Sequence, residues 1–248
     1  MFAFEFMDLC WLPDSLKRTL REILDCALSR PFRNYYDTVV EQISDRIRND
    51  PRITAVAELG AGTAPITHRL AKLPGRPGSL KLIVCDLYPH PEAFRDLQAQ
   101  YPDTVRPVWE PVDFSKPITF PDGTYVVVSA AFHHVPPALR RSVLEVLSAF
   151  PGMIVEPLKK KALTICLAWV ILFPAFATPF LLRRRAGNGR RFFWCYIVPV
   201  APFMIAWDGM ISCFRCWGKD EWLATIASET QLRRFSFNET PELSKVEF

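Results

Sequence analysis

Glycine is scarce in this chain, 10 among 248 residues, which excludes a collagen-like repeat and any Gly/Ser linker. A charge excess is also lacking. Thirty Lys and Arg against 26 Asp and Glu leave a formal net charge of +4, and that total does not mark a nucleic-acid binder. The N-terminus lacks a basic stretch followed by a long apolar run. Glu5 and Asp8 come before any basic residue, so no secretory signal is expected. Cysteine pairs at zinc spacing are missing as well. Of Cys10, Cys26, Cys85, Cys166, Cys195, Cys213 and Cys216, only the last two form a C-x-x-C, with no second ligand pair, and no metal is expected. An odd number of cysteines in mostly apolar runs implies reduced thiols and an intracellular compartment.

Hydrophobicity is what the chain has: 50% of residues are hydrophobic and 13% aromatic. Such a composition excludes global disorder. The 30 basic and 26 acidic residues exclude a chain wholly embedded in a membrane. The length suits one domain with additions, or two small ones.

Four segments differ in pattern. Residues 1–50 read as a helical cap. Leu16, Leu20, Ile23, Leu24 and Ala27 recur at helical spacing behind a cap at Asp14 or Ser15, and Pro31 breaks the pattern. A second helix runs from Tyr35 to Arg48 with Tyr36, Val39, Val40, Ile43 and Ile47 on one face. The cap is either a packing layer or a lid over a ligand.

Residues 51–157 alternate strands and helices. The strands are Ile53–Leu59, Leu80–Cys85, Val105–Val112 (weakened by Pro107 and Pro111), Thr124–Ser129 and Met153–Val155. The helices are Pro65–Leu73, Pro91–Gln100 and Ala138–Phe150. Continuously apolar strands alternating with helices predict an α/β fold with a parallel sheet covered on both faces. Residues 216–248 add a helix at Asp220–Ser228 and short strands at Arg233–Phe237 and Lys245–Phe248.

The first strand ends in Glu58-Leu59-Gly60-Ala61-Gly62-Thr63-Ala64. Glycines there let the backbone turn tightly and approach a ligand closely. A dinucleotide fingerprint needs Gly or Ala at position 65, which is Pro65, so a NAD site is disfavoured. Asp86 ends the second strand and is placed to take both hydroxyls of a ribose. Asp113-Phe114 follows the third. Taken singly, each has a plainer reading, a turn or a helix cap.

Together, over residues 53–157, these blocks resemble class I S-adenosylmethionine-dependent methyltransferases, whose first motif is E/D-x-G-x-G-x-G. Ala64 stands where that pattern has its third glycine. The resemblance implies a Rossmann-like class I methyltransferase fold with S-adenosyl-L-methionine (AdoMet) as cofactor. By the same resemblance Glu58 faces the amino-acid end of the cofactor, Gly60, Ala61 and Gly62 let it lie across the sheet edge, and Asp86 takes the ribose. Leu87, Asp113 and Phe114 would lie by the adenine, and Ala130 completes the implied cofactor contacts.

Ser129-Ala130-Ala131-Phe132-His133-His134-Val135-Pro136-Pro137 ends the fourth strand. Ligands of open parallel sheets bind outside the carboxyl ends of the strands, so this loop is expected to face the reacting methyl group. His133, or His134, could take a proton from a nucleophile. The alternative is a structural loop, because His-His and Glu-His pairs occur here in methyltransferases of unrelated substrates. A sulfonium donor aligned with its acceptor needs no base in principle.

Residues 158–215 are an apolar insertion. Lys159–Lys161 precede an uncharged run, Ala162–Leu182. Arg183, Arg184, Arg185, Arg190 and Arg191 follow, then a second run, Phe192–Trp207. The first run is long enough to span a bilayer. Basic clusters at both of its ends, with Pro174, Pro179, Pro199 and Pro202 expected to break both helices, favour a hairpin that dips into the cytosolic leaflet. A buried helical pair is the alternative. The stretch from Trp207 to Arg215 (W-D-G-x-x-S-C-x-R) resembles a segment of uncharacterised bacterial methyltransferase-like proteins. Asp208 and Arg215 share a helical face and are expected to pair. Asp208 is also the insertion's candidate acceptor-site residue.

The expected function is methyl transfer from AdoMet to an O, N or C atom of a lipophilic small molecule, as in secondary metabolism. The insertion would shape an apolar pocket or reach into a membrane surface for substrate. Two alternatives stay open: an AdoMet-binding cyclase or isomerase that does not methylate, and a membrane-bound interaction protein on a degenerate methyltransferase fold. No N-P-P-Y-like motif follows the fourth strand, so nucleic acid is not an expected partner.

Overall fold

A computed structural model describes residues 4–9, 11–29, 34–160, 168–184, 186–228, 232, 234–240 and 243–248. In chain order its elements are α1 (Asp14–Leu28), α2 (Tyr35–Asn49), β1 (Ala55–Leu59), α3 (Pro65–Lys72), β2 (Lys81–Cys85), α4 (Pro91–Gln100), β3 (Val105–Pro107), β4 (Thr124–Ser129), α5 (Arg140–Leu147) and β5 (Gly152–Glu156). Then come α6 (Leu172–Leu181), α7 (Asn188–Phe192), a π-helical turn at Phe193–Ile197, α8 (Val200–Arg215), α9 (Lys219–Ser228), β6 (Ser236–Glu239) and β7 (Ser244–Glu247).

The chain divides into two compact units. One comprises Tyr36–Pro157 and Trp217–Phe248, and it holds a seven-stranded sheet in the order β3-β2-β1-β4-β5-β7-β6. β3, β2, β1, β4 and β5 are parallel; β7 runs antiparallel between β5 and β6. Ala57 at the centre of β1 lies opposite Ile83 of β2 and Val126 of β4. Every residue of β1 is buried, as a strand covered on both faces requires, whereas β6 at the edge is half exposed. β1 and β4 are neighbours, so strand order reverses beside β1, and the carboxyl ends of β1, β2, β3, β4 and β5 open on one edge of the sheet.

β3 is shorter than the expected Val105–Val112 because Pro107 and Pro111 cannot donate to a ladder. The chain still follows β2, with the Val108 and Val112 N–H groups donating to the Val84 and Asp86 carbonyls. This brings Asp113 beside Asp86 without a strand.

The second unit comprises Met1–Tyr35 and Leu158–Cys216. The expected N-terminal cap over 1–50 therefore divides: α1 goes with the insertion and nearly all of α2 with the sheet. Leu16, Leu20 and Ile23 of α1 pack with Ala175, Cys195, Ala201 and Ile205 of the insertion. Glu22 of α1 receives both Arg190 and Arg191, at 2.7 and 2.8 Å. The Arg191 side chain is fully buried and also donates to the Leu182 and Ala186 carbonyls, so none of its charge is left uncompensated.

Of the four prolines expected to break the insertion's helices, one does. Pro199 sits where Asn188–Ile197 and Val200–Arg215 meet at 80°. Pro174 and Pro202 stand in the first turns of α6 and α8, where no intrahelical N–H bond is due. Pro179 lies inside α6 and deprives the Ala175 carbonyl of its donor; the Cys195 thiol supplies one at 3.7 Å. Among the described residues no single helix is long and apolar enough to cross a membrane. The start of the expected 21-residue run, with Lys161 and Cys166, lies outside the described residues, as do Cys10, Pro31, Arg185 and Arg233.

The expected Asp208–Arg215 pair does not form. Both oxygens of buried Asp208 accept backbone N–H groups, from Phe6 at 2.6 Å and Met7 at 3.0 Å. Arg215 instead bonds Glu5 and Asp8, at 3.0 and 3.1 Å, and the Ser212 hydroxyl also donates to Glu5. The polar residues of the W-D-G-x-x-S-C-x-R stretch thus fasten the N-terminal segment. A helical-face argument within one element missed this because the partners lie about two hundred residues away in sequence.

Candidate active site

The bend after β1 has an unusual backbone. Gly60, Gly62 and Ala64 all have positive φ, at 65°, 55° and 56°. Glycine adopts such angles freely, and alanine does so only with strain. A Cβ on Gly60 would stand 2.7 Å from the Ala131 Cβ, so the bend after β1 and the loop after β4 touch there with no room for a side chain. A Cβ on Gly62 would meet nothing within 4 Å, so at Gly62 it is backbone geometry alone that calls for glycine. Ala64 is fully buried and enters α3 in the left-handed region, followed by Pro65 in the first turn.

Glu58, at the end of β1, is buried, and its carboxylate is engaged from within the fold. It accepts the Ile66 and Thr67 N–H groups at 3.3 and 2.8 Å and the Thr67 hydroxyl at 2.6 Å. These are orphan donors of the first turn of α3, so Glu58 pins that helix under the bend. Burial pushes its carboxyl up to about 7, with the Thr67 and Ile66 hydrogen bonds pulling the other way. Expected to face a cofactor, Glu58 here faces a helix terminus.

Asp86 follows β2 and reaches the bend. Its Oδ2 accepts the Gly62 N–H at 2.8 Å and its Oδ1 the Tyr88 N–H at 2.7 Å. Each carboxylate oxygen can accept a second bond, so the group can hold the bend and still receive two ribose hydroxyls. Ala61 donates its N–H to the Cys85 carbonyl, tying the bend to β2 a second time. Leu87 and Tyr88 are exposed beside Asp86.

After β3, Asp113 turns into its own loop. Its Oδ1 accepts the N–H and hydroxyl of Ser115, at 3.0 and 2.6 Å, and Lys116 lies 3.3 Å from Oδ2. Those Ser115 bonds, with Lys116 adding to them, lower its carboxyl below the usual range. Phe114 is partly buried in the core, and its ring edge lies 3.8 Å from where a Gly60 Cβ would stand. An apolar wall therefore borders the bend at the point expected for an adenine.

The loop after β4 begins with a second strained alanine, Ala130, at φ 53°. Its N–H donates to the Val155 carbonyl of β5. His133 is buried, with its ring Nδ1 2.7 Å from Oε2 of Glu156, the last residue of β5, and its N–H donating to Oε1 at 3.2 Å. A neutral ring that donates from Nδ1 keeps Nε2 as an acceptor. Arg140 closes the loop from behind, donating to the Val135 and His133 carbonyls and lying over the Phe132 and Trp217 rings. His134 is exposed, its ring 4.3 Å from that of His133. Four of the site's segments thus converge on one sheet edge. Glu156, Thr67 and Arg140 escaped the sequence reading. An acid closing β5 was the available signal for Glu156, whereas Thr67 and Arg140 sit at ordinary helix positions.

No protein-family model matches the chain, and no curated protein matches it in sequence. Its fold does match solved structures. The CurJ carbon methyltransferase aligns over 95% of this chain and 61% of its own at a TM-score of 0.53 and 11% identity. The methyltransferase domain of bacterial CtHen1 aligns over 84% and 97%, with a TM-score of 0.51 and 10% identity. An O-methyltransferase family protein from Burkholderia thailandensis aligns over 93% and 61%, with a TM-score of 0.50 and 11% identity. The chain has the Rossmann-like α/β fold of the class I S-adenosylmethionine-dependent methyltransferases.

Proposed function

We propose that the protein transfers a methyl group from AdoMet to an O, N or C atom of a lipophilic small molecule, as in secondary metabolism. The single observation carrying this reading is the Asp86 carboxylate hydrogen-bonded to the Gly62 N–H at the carboxyl edge of a sheet with this strand order. What supports the reading is a carboxylate with acceptor capacity to spare for two ribose hydroxyls, held against a backbone bend that the apolar edge of Phe114 borders. The cofactor would lie over Gly60, Ala61 and Gly62, with Leu87, Asp113 and Phe114 toward the base and Ala130 toward the reacting end. When bound, it supplies a sulfonium carbon ready for displacement. In-line alignment of that carbon with the acceptor supplies much of the acceleration. Where the acceptor carries a proton, His133 removes it, oriented by Glu156, with exposed His134 beside it.

A lipophilic acceptor is favoured by connectivity: the apolar insertion begins two residues after Glu156, where β5 ends. Asp208 is proposed only to fasten the chain's N-terminal segment to the insertion, because both of its oxygens are already bonded to the Phe6 and Met7 N–H groups.

Calorimetry with AdoMet, followed by detection of S-adenosylhomocysteine with candidate lipophilic acceptors, tests the proposal. Binding with turnover but no S-adenosylhomocysteine supports the non-methylating cyclase or isomerase instead. No binding of AdoMet, with Glu58 and Asp86 intact, supports the interaction protein. Metabolite comparison of a deletion strain with its parent then identifies the acceptor by a mass difference of one methylene.

A further inference from the structure

The unit formed by Met1–Tyr35 and Leu158–Cys216 leaves an unusual surface uncovered. On α6, Pro174, Ala175, Thr178 and Pro179 are buried, while Phe173 and Phe180 lie along the opposite stripe, with Phe173 73% exposed. That stripe continues onto the next helix pair. The Phe180 ring packs on Phe192 and Tyr196 at 5.3 and 5.9 Å, and Phe176 packs on Tyr196 at 5.6 Å. Tyr196 also donates its hydroxyl to the Phe176 carbonyl. At the adjoining 80° bend, Ile197 is 72% exposed and Val198 is exposed beside it. An apex between two helices in water is ordinarily polar, and this one is isoleucine and valine.

Charge says what covers it. From Pro157 to Trp207 the sequence has eight basic residues, Lys159–Lys161, Arg183–Arg185, Arg190 and Arg191, and no Asp or Glu. Arg190 and Arg191 are taken by Glu22, but Arg183 and Arg184, directly after the exposed Phe180-Leu181 end of α6, are exposed. A second copy would bring like charges together, whereas an anionic bilayer attracts them.

We propose that this face, built from Phe173, Phe180, Tyr196, Ile197 and Val198 and rimmed by Arg183 and Arg184, docks the protein on an anionic lipid surface. Its aromatic and aliphatic side chains enter the headgroup and acyl boundary, and the guanidinium groups stay at phosphate level. The segment lies in the interface and does not cross it. This reading is independent of the proposed methyl transfer, since none of these residues belongs to the cofactor site.

The test is flotation of the full chain with phosphatidylcholine vesicles, with and without about 30 mol % phosphatidylserine. The wild type is expected to float with the anionic vesicles and to be released by about 0.5 M salt added before insertion. Arg183→Gln with Arg184→Gln should weaken partitioning about thirtyfold. Phe173→Ser with Ile197→Ser should weaken it by at least about tenfold. Both pairs are exposed, so circular dichroism and AdoMet affinity should not change, and Leu223→Ser, an exposed apolar position on α9, should float as the wild type does. Equal binding by all variants, or no binding by the wild type, overturns the proposal. So does a wild-type dimer in sedimentation that Phe173→Ser with Ile197→Ser dissolves, which would make a second copy the occupant.

Discussion

The Asp86 carboxylate joins the turns after β1 and β2, taking the Gly62 N–H on one oxygen and the Tyr88 N–H on the other. The residue read as a sugar ligand is therefore also a brace for the bend on which the cofactor would rest. Asp86→Ala is expected to lower AdoMet affinity by about 100-fold, roughly 2 to 3 kcal/mol for charge-assisted bonds. Asp86→Asn, which keeps one acceptor oxygen, should lose less. Calorimetry on both variants checks the order.

The backbone of the bend gives contrasting predictions at two of its left-handed positions. Gly60→Ala forces a Cβ to within 2.7 Å of the Ala131 Cβ at a positive φ, and should destabilise the protein by about 1 to 3 kcal/mol. Ala64→Gly relieves a left-handed alanine, but it also deletes a fully buried methyl and adds unfolded-chain entropy, so its net effect should stay within about 1 kcal/mol of zero. Thermal unfolding should show a clear drop for Gly60→Ala and little change for Ala64→Gly.

Two buried acids set a pH dependence. Glu58 and Asp208 are each pushed up to about 7 from ordinary values of 4.5 and 3.8, first of all by burial. Between those limits the folded chain holds protons that the unfolded chain releases, so stability falls as pH rises toward 7 and levels off above it. The expected loss is on the order of 3 to 4 kcal/mol per group. About 2 to 3 kcal/mol per group of that loss falls between pH 5 and pH 8, where denaturant titrations measure it, and Glu58→Gln should reduce the difference.

His133 and Glu156 separate structure from catalysis. Glu156→Gln keeps an oxygen for one of the two His133 contacts and should destabilise by about 1 to 3 kcal/mol. With AdoMet affinity within about twofold of wild type, kcat should still fall about tenfold or more and its pH profile should shift, because the ring loses the group that fixes its tautomer. A change in stability alone would leave His133 as a structural residue.

Removing Glu22 should be costly although it lies far from the sheet in sequence. Glu22→Gln leaves the buried Arg191 without its counter-charge, an expected loss of about 3 to 5 kcal/mol measurable by chemical denaturation.

The sheet was legible because β1, β2 and β4 are short apolar runs bounded by turn residues, and a strand buried on both faces admits little else. The tight bend at Gly60 and Gly62 was legible because backbone turning at positive φ restricts residue type. The engagement of Glu58 was not, since local spacing does not say whether a carboxylate faces outward or toward the donors of a helix start. Asp208 shows the same limit over a longer range. Its pairing with Arg215 satisfies helical spacing, but the N–H groups of Phe6 and Met7 reach it through tertiary folding. The partition of residues 1–50 was equally hidden, because α1 and α2 are both amphipathic and nothing in their periodicity names the surface each will cover.

The place of β7 constrains synthesis. β5 is paired with β4 on one side and with β7 on the other, and Leu158–Cys216 must be made before β7 leaves the ribosome. Throughout that interval the backbone of Gly152–Glu156 presents an unzipped margin to the cell. β7 closes that margin and β6 pairs onto β7 only after the apolar insertion has been made, so the open edge and the greasiest stretch are exposed to misassociation during the same interval.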